Sequence, residues 1–348
     1  MPRGPWILAI GLLWLSLSPS SAGLAREFLW QTNAGGDDIH VIDVQTGEKI
    51  KSIVVGPEPH GLAATADGRT VFATIEASGQ QAGELVWIDT ATLKITRRAP
   101  ICLEPHALAA TPDGQWLYIP CRDGHYWVVD GRTGHVAKKI NTGGRPHNTL
   151  ISRDGRWAFL SPMGGANQGF VIDVDASHSI VKRIPFADSL RPSAISADGR
   201  YLLQQTDGLN GFQVADVERG STTATVKHAT PLGGFYLPFL THLGRFGPGG
   251  FARCHGLGIR PDQTEVWSVC ADRVTVHAFV APEFPEIASI ALPAKGYWIT
   301  FSPDGRRAFV ALSEANRVAV VDTQSKHVVT LIDAGRGPKR NLVIRRPE

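Results

Sequence analysis

The apolar and polar positions of this chain follow one pattern that recurs along its length. In residues 105–121, an alternating apolar run leads to Asp113-Gly114, and a second apolar run follows. Two short apolar runs joined by Asp-Gly are typical of an antiparallel hairpin, because glycine readily adopts the positive φ of a tight turn. A third run that ends in Asp, such as residues 126–130, and a fourth run after a Thr-containing turn complete the unit. The pattern therefore predicts four antiparallel strands per repeat.

Six such units follow one another, most of them about forty residues long: residues 59–104, 105–145, 146–191, 192–253, 254–295 and 296–337. Four strands at this period predict a blade of a β-propeller. Residues 28–54 supply three further strands and residues 338–344 supply one, and pairing of these ends leaves no sheet edge exposed. The predicted fold class is all-β, a seven-bladed β-propeller of four-stranded antiparallel blades, closed where the C-terminal strand joins the N-terminal blade.

The N-terminal residues have the composition of a secretory signal peptide. Arg3 precedes the apolar run of residues 6–15, and small residues follow. This run is too short to span a bilayer comfortably, so we expect cleavage near Ala22 or Ala25 and no transmembrane anchor afterwards. The domain prediction is a signal peptide at residues 1–25 and a single seven-bladed β-propeller at residues 26–348, periplasmic or secreted. An uncleaved membrane anchor is the alternative.

Histidines recur at a fixed place in the repeat. The residues seven positions before the Asp of a hairpin turn are His60, His106, His147, His255 and Tyr297. Because first strands begin at the inner end of the sheets, we expect these side chains to surround one mouth of the central channel. In the fourth unit, either Arg191 or Ser193 fills the equivalent place.

Three interpretations of the histidines stay open. They hydrogen-bond to the backbone as repeat-consensus residues, or they contact a ligand, or they bind a metal. Imidazole is a common metal ligand, so His60, His106, His147 and His255 are candidate ligands of a divalent metal or copper. A shared metal is the strictest demand, because its nitrogens must converge to within roughly 3.5 Å. A seven-bladed channel can hold the rings too far apart for that.

Basic and aromatic residues gather near the same predicted face. The formal net charge of +3 is small, so their distribution matters more than their total. The basic residues at blade junctions that we select are Arg145, Arg191, Arg253, Lys339 and Arg340, and Tyr297 and Trp298 can stack on a ligand. Like charges around a cleft attract an oppositely charged ligand, so this mouth is predicted to bind an anion. Solvated rim charges are the alternative.

The fourth unit carries a long insertion, residues 228–253, which is rich in glycine and aromatic residues. Its position between blades places it on the histidine face. Long connections of this kind commonly serve as lids or partner-docking loops, and we predict that role here. Disordered length variation is the alternative.

Four cysteines occur at matching positions of two units. Cys102 and Cys254 lie just before or at the start of a first strand, and Cys121 and Cys270 lie at the end of a second strand. Neighbouring antiparallel strands place these ends side by side, so we predict the disulfides Cys102–Cys121 and Cys254–Cys270. The alternative is copper bound by Cys254, His255 and Cys270, which requires reduced thiols. No Cys-x-x-Cys-His motif for c-type haem occurs.

Residues 59–68, Pro-His-Gly-Leu-Ala-Ala-Thr-Ala-Asp-Gly, and the following Val-Phe-Ala-Thr resemble the YVTN repeat of exported bacterial and archaeal β-propellers, including the YncE-like group. The resemblance extends over nearly all of the mature chain. Most second strands depart from the Tyr-Val-Thr-Asn core, as in residues 117–121. The resemblance implies the seven-bladed fold and a binding role, and a nucleic-acid partner is implied by it alone.

The function predicted from the sequence is an exported, monomeric binding or scaffold protein. Its partner is a small anionic ligand or an envelope protein at the histidine face, and no cofactor is required. The alternative is a metal-assisted lyase or hydrolase, or an accessory propeller subunit of a periplasmic dehydrogenase or electron-transfer system, that uses the channel histidines. The chain contains no Ser-His-Asp order and no phosphate-binding glycine loop in a strand-to-helix context.

Overall fold

The computed structural model describes residues 26–79, 82–229 and 254–346, together with Met1. Within these ranges, 28 strands form seven four-stranded antiparallel sheets, and no helix occurs. The predicted fold class is confirmed: the chain is a seven-bladed β-propeller.

The strands follow the chain blade by blade. Blade one contains β1 (Glu27–Asn33), β2 (Asp38–Asp43) and β3 (Lys49–Val54). Blade two contains β4 (Pro59–Ala64), β5 (Thr70–Ile75), β6 (Glu84–Asp89) and β7 (Lys94–Pro100). Blade three contains β8 (Ala109–Ala110), β9 (Trp116–Pro120), β10 (His125–Asp130) and β11 (Val136–Asn141). Blade four contains β12 (Arg145–Ile151), β13 (Trp157–Met163), β14 (Gln168–Asp173) and β15 (Ser179–Pro185).

The last three blades have the same order. Blade five contains β16 (Leu190–Ile195), β17 (Tyr201–Thr206), β18 (Gly211–Asp216) and β19 (Ser221–Lys227). Blade six contains β20 (Cys254–Ile259), β21 (Glu265–Cys270), β22 (Arg273–Ala278) and β23 (Glu286–Ala291). Blade seven contains β24 (Trp298–Phe301), β25 (Arg307–Leu312), β26 (Arg317–Asp322) and β27 (His327–Asp333).

The ring closes in blade one. The last strand, β28 (Pro338–Arg345), pairs antiparallel with β1, and Leu29 faces Val343 in the register. The chain ends therefore share one sheet, as the sequence predicts. This closure covers the edge of β1 that the three N-terminal strands alone leave unpaired.

The Asp-Gly turns have a common geometry. Between β4 and β5, the Thr65 hydroxyl donates to Asp67 Oδ1 at 2.6 Å, and the Arg69 amide donates to the same oxygen at 3.0 Å. Gly68 has a φ of 67°, and a Cβ there would lie 2.3 Å from the Arg345 carbonyl oxygen. Glycine is required at this turn by both its backbone angle and its close packing.

The hydrophobic core consists of layers between neighbouring blades. Between blades six and seven, Trp267 and Val269 of β21 pack with Ile299 and Val310 of β24 and β25, and all four are buried. Burial of each such aliphatic side chain contributes roughly 1.5–3 kcal/mol. Because every blade packs on two neighbours, the inner strands are held firmly around the axis.

Both predicted disulfides are present. Cys102 pairs with Cys121, Cys254 pairs with Cys270, and no cysteine is free. The copper interpretation of Cys254, His255 and Cys270 is wrong for this structure, because it requires free thiolates and these sulfurs are bonded to each other.

Two predicted segments lie outside the described residues. They are the signal peptide with its cleavage positions near Ala22 and Ala25, of which only Met1 is described, and residues 230–253 of the insertion, which include Arg253. In the part of the chain that is described, no helix has the length and apolar character needed to cross a membrane.

Candidate functional site at the channel mouth

Each blade contributes one residue at the start of its first strand, where neighbouring first strands meet around the axis. From blade one to blade seven, these residues are Lys339, His60, His106, His147, Arg191, His255 and Tyr297. The pairing of β16 with β17 begins at Leu190, as the pairing of β4 with β5 begins at Pro59. The next residues, Arg191 and His60, are therefore equivalent. Arg191, and not Ser193, occupies the histidine position of blade five.

Five of these residues are in contact, and we call them the channel cluster: His60, His106, His147, His255 and Tyr297. Ring centroids are 3.7 Å apart for His60 and His106 and 4.8 Å apart for His106 and His147. The His147 and His255 centroids are 5.6 Å apart, and His255 stacks on Tyr297 at 4.1 Å. The Tyr297 hydroxyl lies 3.4 Å from Nε2 of His60 and closes the cluster. The channel therefore does not hold neighbouring rings apart.

Glu76 joins two members of the channel cluster. It directly follows β5, and its Oε1 lies 3.0 Å from Nδ1 of His60 and accepts a short hydrogen bond from Nδ1 of His106. Burial by itself raises the pKa of Glu76, but the two imidazoles outweigh burial and hold the pKa below its usual range. Glu76 is thus a carboxylate shared between blades two and three.

Sequence reasoning did not select Glu76, although a signal for it exists. Glu76 lies sixteen residues after His60, and Asp207 lies sixteen residues after Arg191. This offset places an acidic side chain just past the second strand, beside the first-strand residue of the same blade. Searching the repeats for carboxylates at a fixed offset from the histidine position would have found both.

The histidines of the channel cluster are neutral at physiological pH. Burial lowers the pKa of His60 to about 3, and it lowers the pKa values of His106, His147 and His255 below their ordinary value. The nearby Arg340 guanidinium lowers all four pKa values further. These imidazoles are therefore available as uncharged donors and acceptors.

Two ring nitrogens of the channel cluster, Nε2 of His106 and Nδ1 of His147, have no hydrogen-bond partner among the described residues, and both atoms are buried. Nδ1 of His60 makes no well-aligned hydrogen bond, but it lies 3.0 Å from Oε1 of Glu76 and is not isolated. His255 differs, because its Nδ1 lies 3.3 Å from the Tyr297 carbonyl oxygen. Buried polar atoms are nearly always paired, so two orphaned nitrogens on neighbouring rings indicate a place for a bound species.

Arg340 is the buried cation of the site. Arg340 is the residue after Lys339 in β28, and it is only 5% exposed. Its guanidinium carbon lies 3.8 Å from the ring centroid of Trp298. Among the described residues, Nε and Nη2 have no hydrogen-bond partner and no carboxylate forms an ion pair with Arg340, although the charge of Glu76 raises the pKa of Arg340 from a greater distance. Burial lowers its pKa to about 10, so it keeps its charge at neutral pH. Lys339 lies beside it, with Nζ 4.3 Å from the Tyr297 ring centroid.

The other selected basic residues are placed differently. Arg191 forms a bidentate ion pair with Asp207, with Nε to Oδ1 at 2.6 Å and Nη2 to Oδ2 at 3.0 Å. Arg145 is exposed at the start of β12, and its charge lowers the pKa of His106. Arg191 is therefore neutralised by a partner, whereas Arg145 is a rim charge.

A second group of histidines lies between blades five and six. His228, after β19, places Nδ1 2.9 Å from Nε2 of His277 and Nε2 3.0 Å from the Ser268 hydroxyl. Nδ1 of His277 lies 2.7 Å from the Phe284 carbonyl oxygen, which accepts a hydrogen bond from it. All four ring nitrogens are paired, so this group has a structural role.

No protein-family model matches this sequence, and no curated protein is significantly similar to it. Solved structures share the fold. A putative 6-phosphogluconolactonase from Bacteroides fragilis superposes with a TM-score of 0.73 and 15% identity, over 94% of this chain and 100% of that one. The hydrazine synthase of Kuenenia stuttgartiensis gives a TM-score of 0.66 and 19% identity, over 83% of this chain and 95% of that one.

A third similar structure is the dihydro-heme d1 dehydrogenase NirN, with a TM-score of 0.63 and 16% identity, over 89% of this chain and 64% of that one. At identities this low, the similarity shows the fold alone. These structures have different names and activities on one architecture, so function has to be argued from the channel mouth of this chain.

Proposed function

We propose that this protein is an exported β-propeller that binds a small anionic ligand at the channel mouth. The observation that carries the proposal is Arg340, a charged side chain that is buried among neutral imidazoles and has no carboxylate partner among the described residues. A buried, unpaired charge costs several kcal/mol. A bound anion offsets that cost, because guanidinium groups pair with carboxylates and phosphates through parallel hydrogen bonds.

The surroundings of Arg340 support an anion of limited size. The neutral imidazoles of His106 and His147 offer ring nitrogens to a ligand, and Lys339 adds a second cation. Tyr297 and Trp298 are already stacked against Lys339 and Arg340, so they hold these cations in place. Arg145 at the rim favours the approach of an anion over that of a cation.

Isothermal titration tests this proposal. Metal-free protein is titrated with citrate, succinate and inorganic phosphate, and with a short single-stranded oligonucleotide. We expect one of the small anions to bind with 1:1 stoichiometry and Arg340→Gln to weaken it at least tenfold. Arg317→Gln, which removes an exposed arginine paired with Asp333 at 3.1 Å, is the matched control and leaves affinity unchanged.

Two results overturn the proposal. One is the absence of heat with every small anion at millimolar concentration. The other is binding of the oligonucleotide alone, which would instead favour the nucleic-acid partner implied by the sequence resemblance. The alternative functions are a metal-assisted lyase or hydrolase and an accessory subunit of a periplasmic dehydrogenase or electron-transfer system. They require a bound metal or a redox partner, whereas anion binding requires neither.

The export proposal rests on two features of the chain, the disulfides and the composition of the N-terminal sequence. We propose cleavage near Ala22 or Ala25, a periplasmic or secreted location, and membership of the YVTN-repeat, YncE-like group, with residues 228–253 available to dock an envelope partner. Two disulfides fit an oxidising compartment. Intact-mass analysis of the protein recovered from the periplasm or medium tests export. A mass that retains residues 1–25 contradicts it.

A further inference from the structure

Three side chains at the channel mouth present ligand atoms that a metal ion can share. His60 and His106 direct Nδ1 to one oxygen of Glu76, and one ligand atom from each residue lies within 4.8 Å of the other two. Zinc binds imidazole nitrogen at about 2.0–2.1 Å and carboxylate oxygen at about 2.0–2.2 Å. Two ligands of one ion are therefore at most about 4.3 Å apart. Nδ1 of His60 and Oε1 of Glu76, 3.0 Å apart, already lie within that range.

We propose that His60, His106 and Glu76 bind one divalent first-row transition-metal ion, with His147 next to them as a further ligand. Two imidazoles and one carboxylate suit zinc, cobalt(II) or iron(II). A second observation is independent of the Glu76 contacts: Nδ1 of His147 is buried and unpartnered, and the ring centroids of His147 and His106 are 4.8 Å apart. The metal ion or its bound water would give this nitrogen a partner.

The other histidine groups of the described chain make weaker candidates. His228 lies near Cys254 and Cys270, but those sulfurs form a disulfide and cannot act as thiolates. His228, His277 and Glu286 also lie close together, yet the imidazole nitrogens there already have partners. Among the histidine groups of the described chain, the His60, His106 and Glu76 group alone adjoins an orphaned imidazole nitrogen of a neighbouring blade, Nδ1 of His147. His255 of the sequence prediction is not in this group.

A metal ion changes what the site binds. A divalent cation beside one carboxylate and the Arg340 guanidinium leaves this buried region strongly cationic, and a cationic site of this kind is completed by an anion. The metal and Arg340 would then hold the same ligand from two sides. This last step rests on the proposed function, whereas metal binding by His60, His106 and Glu76 does not.

The test uses untagged, disulfide-intact protein stripped with a chelator. Zinc chloride and cobalt chloride are titrated separately, with calorimetry for both and visible absorption for cobalt. We expect one ion per chain and cobalt bands of a four- or five-coordinate nitrogen and oxygen site. Glu76→Gln is expected to weaken binding at least tenfold, and His106→Ala at least a hundredfold.

Matched controls separate the site from general effects of the substitutions. Glu104→Gln removes a rim carboxylate that pairs with Arg122 at 3.1 Å, and His135→Ala removes an exposed histidine of the same blade as His106. Both should bind metal as the wild type does. Circular dichroism melting verifies that each variant is folded. If His106→Ala does not fold, Glu76→Gln still tests the site, because glutamine retains the size of the glutamate side chain.

The possible outcomes separate the two proposals. No stoichiometric metal binding by the wild type, or unchanged affinity in both Glu76→Gln and His106→Ala, overturns the metal site. Citrate titrated into metal-free and zinc-loaded protein then tests the ligand. Metal binding without citrate, succinate or phosphate binding supports the metal centre and rejects the anion proposal. Anion binding by protein that takes up no metal supports the anion proposal and rejects the metal centre.

Discussion

Nδ1 of His60 lies 3.0 Å from Oε1 of Glu76, although the two residues are at opposite ends of a hairpin and sixteen positions apart. The same oxygen accepts a hydrogen bond from His106 of the next blade. One carboxylate thus connects two repeats at the axis. The channel mouth is a composite of blades, so changes at one blade alter the surroundings of its neighbours.

Removal of residues 338–348 should prevent stable folding. This truncation deletes β28, exposes the edge of β1, and uncovers buried residues such as Leu29 and Trp30. We expect insoluble protein or loss of the cooperative thermal transition seen by circular dichroism. A chain that ends at Arg346 keeps all of β28 and serves as the control. Normal melting of the shorter chain would contradict closure by β28.

The disulfides should contribute measurably to stability. Cys102 and Cys121 are 19 positions apart, and a loop of this size corresponds to about 3 kcal/mol in the chain-entropy account. The double substitution of both residues by serine should lower the free energy of unfolding in urea by roughly that amount. Unreduced, denatured wild-type protein should contain no thiol that reacts with Ellman's reagent. A thiol signal there would show that the disulfides are not formed.

Stability should fall as the solution becomes acidic, partly because of His228. Burial, followed by the nearby His277, lowers the pKa of His228 to about 4, although Glu286 opposes the shift. The unfolded chain, with a pKa near 6.5, takes up the proton first as pH falls. This contribution is therefore fully present above about pH 6.5 and is lost between about pH 6.5 and 4, amounting to roughly 3 kcal/mol.

Urea unfolding of the metal-free protein at pH 7.5 and pH 5 measures this effect. His228→Gln should show a smaller loss of stability between the two values than the wild type, whereas His135→Gln, at an exposed turn, should not. The pKa values of the channel histidines are also lowered by burial, so part of the loss of stability at acidic pH remains in every variant. An unchanged difference in His228→Gln would mean that this imidazole is not buried in neutral form.

Asp207→Asn should release a cation at the channel mouth. Arg191 forms a bidentate pair with Asp207, and its charge already lowers the pKa values of His147 and His255. Without the carboxylate, we expect stability to fall by about 1–2 kcal/mol and the affinity for a bound anion to rise severalfold. Titration calorimetry at constant ionic strength measures the affinity.

The control for Asp207→Asn is Asp333→Asn. That substitution breaks an ion pair with Arg317 on the outer strands of blade seven, where Arg317 Nη2 and Asp333 Oδ1 are 3.1 Å apart. It removes the same charge at a distance from the channel and should leave anion affinity unchanged. Equal gains in both variants would indicate a general effect of net charge.

The sequence alone determined the features that depend on local pattern. Alternating apolar positions and the Asp113-Gly114 type of turn specify strands and hairpins, because side-chain alternation and positive φ are properties of a few neighbouring residues. Their constant period specified seven blades, placed His60, His106, His147 and His255 at equivalent positions, and brought Cys102 to Cys121. In a repeat protein of this kind, residues at the same position of successive repeats occupy equivalent places around the ring.

Tertiary structure decided which side chains meet across blades. The distance between His60 and His106, the sharing of Glu76, and the pairing of Arg191 with Asp207 depend on the ring radius and on rotamers, which the period does not specify. The isolation of Arg340 likewise follows from what surrounds it in space, since no pattern along the chain marks a cation that lacks a partner. Strand identity is local, whereas the geometry and charge of the channel mouth arise only when seven blades are packed together.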